Sequence, residues 1–299
     1  MKSFGRLKTK EGEDLIREIH LTPTQQMWRR LCRNKISVVS MIVIAIFVLA
    51  AIFANFIVDE SLVTLQTADR IQGPSAQHWF GTDLYGRDLF ARVLYGSRIS
   101  LAIGVLVSAI TLIIGYLLGT AAAYYGGVFD EVVMRACDVF MAIPESLLAI
   151  CVVASMGASA TSLIVALVIA VIPGRTRLVR SAVLGLIGTE YVEAARAAGM
   201  SDFKIMVQEI LPNSLGPIIV TTTQGLANIV LTSSGLSYLG VGIQPPTPEW
   251  GSIISDAKEF LQIAPYMCVI PGLVMVVFAL AFCLLGDGLR DALDPRLKD

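Results

Sequence analysis

The chain has 299 residues, of which 55% are hydrophobic and 16% charged, and its mean hydropathy is +0.70. Soluble domains carry roughly 25% charged residues, so this is the composition of a membrane protein and not of a soluble enzyme. A net charge of −1 gives no reason to expect nucleic acid as a partner. The five cysteines (Cys32, Cys137, Cys151, Cys268, Cys283) form no C-x-x-C pair, and with only His20 and His78 a histidine-rich metal site is not expected.

In chain order, residues 1–35 read as a polar, basic tail. Within it Thr22-Pro23 starts a helix in which Met27, Trp28, Leu31 and Cys32 alternate with Arg29, Arg30 and Arg33, the pattern of a helix lying on a membrane surface. The basic stretch is too long for a cleavable signal, so the first apolar run, 36–58, reads as a retained span. A polar loop is expected over 59–98, followed by a five-helix membrane core over 99–286. Its spans are placed at Leu101–Tyr124, Val132–Met156, Leu163–Pro173, Ile218–Leu239 and Tyr266–Leu285. Pro144 and Pro271 fall inside spans, and Pro173 is expected to end one. Residues 287–299 form a polar tail, in which Asp287, Arg290, Asp291, Asp294 and Arg296 have helical spacing.

A polar interruption from Arg175 to Pro212 divides the core. Thr189 is expected to cap a helix through Ala198, with Glu190 and Glu193 near its positive dipole end and Gly199 as a left-handed stop. Ser201 and Asp202 then start a second helix that ends at Leu211, before Pro212. Ala194, Ala195, Ala197 and Ala198 leave a nearly flat surface that another protein can approach closely. This stretch, about 189–212, has the form of a short helix-turn-helix on the membrane surface, shaped to be gripped. With six spans, Lys and Arg number 18 on the side of both termini and of this stretch, against 5 on the other. By the positive-inside rule both termini and this stretch are expected to be cytoplasmic.

Catalytic signatures are missing from the sequence. There is no G-x-x-x-x-G-K-[ST], no H-E-x-x-H and no Ser/His/Asp arrangement, so any ATP must be hydrolysed by another subunit and no cofactor is expected on this chain. Ser233-Ser234-Gly235 could suggest an intramembrane nucleophile, but without a histidine in any span they read as small packing residues. Pro144 and Glu145 stand out as a kink and a carboxylate inside a span, so Glu145 lines a translocation path, pairs with a partner subunit or has a structural role. The scarcity of other intramembrane charges argues against a transporter driven by protons or sodium. Outside the membrane, Gly81-Thr82-Asp83 and Gly86-Arg87-Asp88 are turn chemistry, and Pro246 and Trp250 flank a short helix. Asp83, Arg87, Asp88, Pro246 and Trp250 are the candidate contacts for an external protein.

Four stretches carry a family resemblance. Glu193-Ala194-Ala195, Gly199 and Leu211-Pro212 resemble the E-A-A loop of ABC importer permeases, although Glu209 stands where the family's I-x-L-P has isoleucine. "GTDLYGRD" (Gly81–Asp88), "SYLGVGIQPPTPEWGSII" (Ser237–Ile254) and "LGDGLRDALDPRL" (Leu285–Leu297) resemble segments of the dipeptide, oligopeptide and nickel permeases, in the same order. The resemblance covers most of the chain after residue 75 and implies the second permease subunit of such an importer, with the all-α type I ABC importer permease fold in a prokaryotic inner membrane. It further implies a homologous second permease, two ATPase subunits that use ATP and magnesium, and an external substrate-binding protein. It assigns ATPase docking to Glu193, Ala194, Ala195, Gly199, Leu211 and Pro212, and peptide cargo, with nickel or a chelated metal as the alternative. A secondary transporter working alone is the more distant one.

Overall fold

The computed structural model describes residues 22–293 apart from 65 and 68, so the chain ends, with Asp294 and Arg296, lie outside the described residues. Among the described residues the secondary structure is helical, apart from one isolated bridge between Thr82 and Asp88. Helix α1 (Pro23–Arg33) begins where the sequence places it, with Thr22 and Gln25 capping each other. It buries Leu31 and exposes Trp28. Asn34 closes α1 and starts α2 (Lys35–Ile52), its side chain accepting from the Ile36 N–H at 3.0 Å.

The first span is shorter than the expected 36–58. It stops at Ile52, and a separate turn, α3 (Ala54–Ile57), follows. The cause sits on another helix: Arg98 donates to the carbonyls of Ala51 and Ile52 and to Asn55 Oδ1, occupying acceptors at the helix end. After α4 (Ser61–Thr64), helix α5 (Leu89–Tyr125) begins well before the expected Leu101, capped by Asp88, which accepts from the Ala91 N–H at 2.8 Å. Its 37 residues reach about 55 Å, more than the ~30 Å of hydrocarbon, so its first turns stand outside the bilayer.

The expected span at 132–156 is two helices, α6 (Gly127–Met141) and α7 (Glu145–Met156), bent by 85°. Pro144 has no N–H to continue α6, so the chain turns there and Glu145 opens α7. Helix α8 (Ala160–Ile187) does not end at Pro173; the proline lies inside it. Then come α9 (Glu190–Ala197), α10 (Asp202–Lys204), a π-helical turn (Ile205–Ile210) and α11 (Leu211–Tyr238). Helix α12 (Trp250–Ala257) and a 3₁₀ turn (Lys258–Phe260) precede α13 (Tyr266–Leu293). Helix α13 continues through Asp287, Arg290 and Asp291, which the sequence reading had assigned to a separate tail.

Packing register fixes the number of crossings. Ile103 and Val107 of α5 cluster with Leu163 and Leu167 of α8, Gly115 meets Arg175, and Gly119 meets Val179, so α5 and α8 run parallel. Two successive parallel helices need a return crossing between them, and α6–α7 is the chain available for it. Helix α7 alone is about 18 Å long, too short to cross, so the bent pair makes the crossing together. Helix α11 runs antiparallel to α8, with Ile218 beside Val183 and Leu236 beside Leu163. Leu293 reaches Gly216 and Gly286 reaches Gln224, while Gly288 faces Ser37 and Phe278 faces Phe47 at 5.5 Å. These pairs make α13 antiparallel to both α11 and α2. Six crossings result, with residues 35, 189–211 and 293 on one face. Ile42, Ile46, Val105, Ile113, Leu117 and Leu280 point outward as a lipid-facing surface.

Candidate functional site

The first candidate region is the stretch around α9. Val192 and Ala195, three residues apart, turn inward onto Val179, Val183, Ile205 and Ile210. That leaves Glu193, Ala194, Arg196, Ala197 and Ala198 on the outer face. The helix ends in a Schellman motif: Gly199 N–H donates to Arg196 O at 3.0 Å and Met200 N–H to Ala195 O at 3.1 Å. Gly199 sits at φ +80°, as the sequence reading required, with nothing within 4 Å of where a side chain would project. Thr189 holds the N-cap backbone position, but its hydroxyl donates back to Leu186 O at 2.6 Å and caps nothing.

The second arm differs from expectation. Instead of ending before Pro212, the chain widens into the π turn, where Leu211 N–H donates to Met206 O, and runs on as α11. The wide turn accommodates a residue that lacks an N–H, and Asn213 Nδ2 donates to the carbonyl of Glu209 at 2.6 Å. Pro212 is exposed and Leu211 half-buried. Tyr124, at the end of α5, holds both arms: its hydroxyl donates to Asp202 at 2.7 Å, and the Arg196 guanidinium lies 5.6 Å from its ring centre. Phe203, 72% exposed, stands beside these groups on the surface. Sequence reasoning missed Tyr124 and Phe203; no local pattern ties Tyr124 to residues so far along the chain.

On the opposite face, the residues expected to meet an external protein are mostly internal. Asp83, Arg87 and Asp88 are buried, Trp250 is fully buried, and only Pro246 of the five is exposed. Asp83 accepts from the Tyr85 and Arg87 N–H groups at 2.8 and 2.9 Å and from Arg87 Nε at 2.5 Å. Arg87 and Arg92 both approach Asp256 on α12, at 3.3 and 3.8 Å. Burial pushes the Asp256 carboxyl up from its ordinary value, with Arg92 and Arg87 pulling the other way. Asp88 caps α5 with one oxygen and meets His78 Nδ1 at 2.7 Å with the other. Trp250 donates to Val93 O at 3.1 Å and packs on Phe47 and Phe278. Glu249, fully buried, accepts from Ser234 at 2.6 Å and Ser100 at 3.3 Å, so Ser234 serves as an internal tie, while Ser233 is buried with no hydrogen-bond partner among the described residues.

The third region is a cavity of about 460 Å³ between the α6–α7 bend, α8 and α11. Pro144 and Glu145 line it, together with Thr221, Gln224 and Asn228 of α11. So does Arg175, which the sequence reading put at the start of the polar interruption; it lies inside α8 and is 8% exposed. A side chain at Gly115 would stand 2.8 Å from Arg175 Cβ, and one at Gly225 would collide with its guanidinium, so two glycines on other helices make its slot.

Residues 112–299 match the family of binding-protein-dependent transport system inner membrane components, and residues 22–74 match the N-terminal TM domain of oligopeptide transport permease C. The chain therefore belongs to the family of binding-protein-dependent transport system inner membrane components. Among its relatives, a dipeptide transport system permease protein, DppC, from Alkalihalophilus pseudofirmus is 43% identical over 93% of this chain and 91% of its own. A glutathione transport system permease protein, GsiD, from Escherichia coli is 44% identical over 93% of this chain and 92% of its own. A structure of the MetNI methionine ABC transporter, described as inward facing, matches with TM-score 0.58 at 20% identity, over 69% of this chain and 98% of that one. That likeness establishes a shared fold, the type I ABC importer permease fold.

Proposed function

We propose that this chain is one of two membrane subunits of an ATP-driven peptide importer, paired with a homologous permease and worked by two separate ATPase subunits. The observation that carries the cargo assignment is the likeness along nearly the whole chain to permeases named for dipeptide and glutathione transport, both peptides. Nothing comparable favours a metal cargo. An external binding protein delivers the peptide to the face that carries residues 59–88 and 240–265. The face of α9 and of both described chain ends is cytoplasmic, because lysine and arginine concentrate there.

Docking is assigned to the outer surface of the α9 turn. Glu193, Ala194 and Gly199 present a flat, exposed patch, with Phe203 as an apolar anchor beside it. Ala195 supports this patch from inside, and Leu211 and Pro212 fix where its second arm joins the membrane. Closure of the ATPases on ATP draws the two permeases' coupling helices together, and hydrolysis releases them. Pro144 and Glu145 line the path between the open states. On the external face, Pro246 is the exposed contact for the binding protein, while Asp83, Arg87, Asp88 and Trp250 hold the surface in shape.

Accumulation of labelled dipeptide, longer peptide and nickel ion, in cells with and without this chain, tests the cargo. Selective loss of peptide uptake is expected; loss of nickel uptake alone would overturn the assignment. Coupling is tested separately by Gly199→Val. No atom blocks the new side chain, so the left-handed backbone alone is challenged. Uptake is expected to vanish while the protein remains in the membrane, and normal uptake would overturn the docking assignment.

A further inference from the structure

Arg175 and Glu145 share one cavity and neither has a charged partner in contact. Among the described residues no carboxylate lies within ion-pairing distance of Arg175, and its polar contact is a long one, to Thr222 Oγ1 at 3.5 Å. Glu145, at the α6–α7 bend, lines the same cavity within electrostatic range of Arg175 and makes no hydrogen bond or ion pair among the described residues. An ionisable group inside a membrane protein is costly, and an arginine held over 90% out of solvent with one long neutral contact is especially so. The placement is nonetheless specified, since Gly115 and Gly225 are shaped around it. The other intramembrane-side arginines of α8 are answered: Arg177 by Asp138, and Arg180 by Asp130 at 2.5 Å.

We propose that this cavity is a transit site for the zwitterionic peptide, in which Arg175 takes the carboxylate terminus and Glu145 the ammonium terminus. The inference rests on the reading of the chain as a peptide permease. A guanidinium fork matches a carboxylate with two parallel hydrogen bonds, and a lone carboxylate accepts from an ammonium. Asn228 and Thr221 offer amide and hydroxyl groups to the peptide bond between them, and Met141 and Leu178 give apolar wall. The volume, about 460 Å³, falls in the range of small-molecule pockets, roughly 300–1,000 Å³. A zwitterion neutralises both wall charges at once and leaves no net charge in the membrane when it moves on.

The test uses the complete importer, assembled with its partner subunits in proteoliposomes. Asn228→Cys, and in a second preparation Thr221→Cys, is labelled with a small thiol reagent, and the labelling rate at that cysteine is read by mass spectrometry. Alanyl-alanine, its N-acetyl form, its amide and the doubly blocked form serve as probes. Free alanyl-alanine is expected to slow labelling about tenfold more than the doubly blocked form, the worth of roughly one charge-assisted contact. Adding Glu145→Gln removes the advantage of the free amine and keeps that of the free carboxylate; Arg175→Gln does the reverse. Gly225→Ala, which displaces the guanidinium without removing its charge, behaves as Arg175→Gln. If the wild-type importer takes up alanyl-alanine while all four probes protect equally or not at all, the site is overturned and the peptide reading stands. If the wild-type importer takes up no peptide, both fall together.

Discussion

The external loop and the α9 turn both carry family motifs, and they use them in opposite ways. In the loop, Asp83, Arg87, Asp88 and Trp250 point inward and bond to one another, to α5 and to α12. In the α9 turn, Glu193, Ala194 and Gly199 point outward, while Val192 and Ala195 face the core and Met200 packs against it. A motif thus marks a constraint without saying which kind. Inward residues are held by packing and hydrogen bonds within the chain, whereas the outward ones lie where docking is proposed.

Substitutions should separate the two regions, and the largest effect is expected at Trp250. Trp250→Ala removes the centre of a buried aromatic cluster and should cost about 3–5 kcal/mol, read as a lowered Tm in detergent and less protein in the membrane. Asp83→Asn leaves Arg87 and Arg92 less well compensated and should cost about 3 kcal/mol by the same readouts. Asp256→Asn should cost less than Asp83→Asn, because burial already opposes the Asp256 anion. Adjacent alanines sharpen the contrast within α9. Ala195→Leu should destabilise by about 1–3 kcal/mol through overpacking. Ala194→Leu should leave Tm nearly unchanged, within about 0.5 kcal/mol, yet lower uptake. Equal effects of the two alanine changes on Tm would remove the distinction. Tyr124→Phe should cost about 1 kcal/mol from the lost bond to Asp202, with a partial fall in uptake.

Much of this was legible in the sequence. The all-helical membrane class followed from composition, and the left-handed backbone of Gly199 followed from its place after an alanine-rich helix. What escaped were the effects of proline and of distant partners. Pro173, expected to end a span, sits inside α8, and Pro217 likewise sits inside α11. Pro144, expected as a kink within one span, instead separates two helices bent by 85°. Arg92 and Arg98 read as loop residues because their charge is local information, whereas their buried acceptors, Asp256 on α12 and the end of α2, are not. Arg175 was misplaced likewise: its slot is made by glycines on two other helices.

The π turn ahead of Pro212 has a mechanical consequence. Because it widens the backbone without interrupting it, one helical rod runs from Asp202 to Tyr238. Its lower end is clamped to the α9 turn through Tyr124, and about 33 Å further on, at ~1.5 Å per residue, Gln224 lines the cavity. That continuity gives a displacement at the α9 surface a direct backbone route to Thr221, Gln224 and Asn228 in the cavity wall.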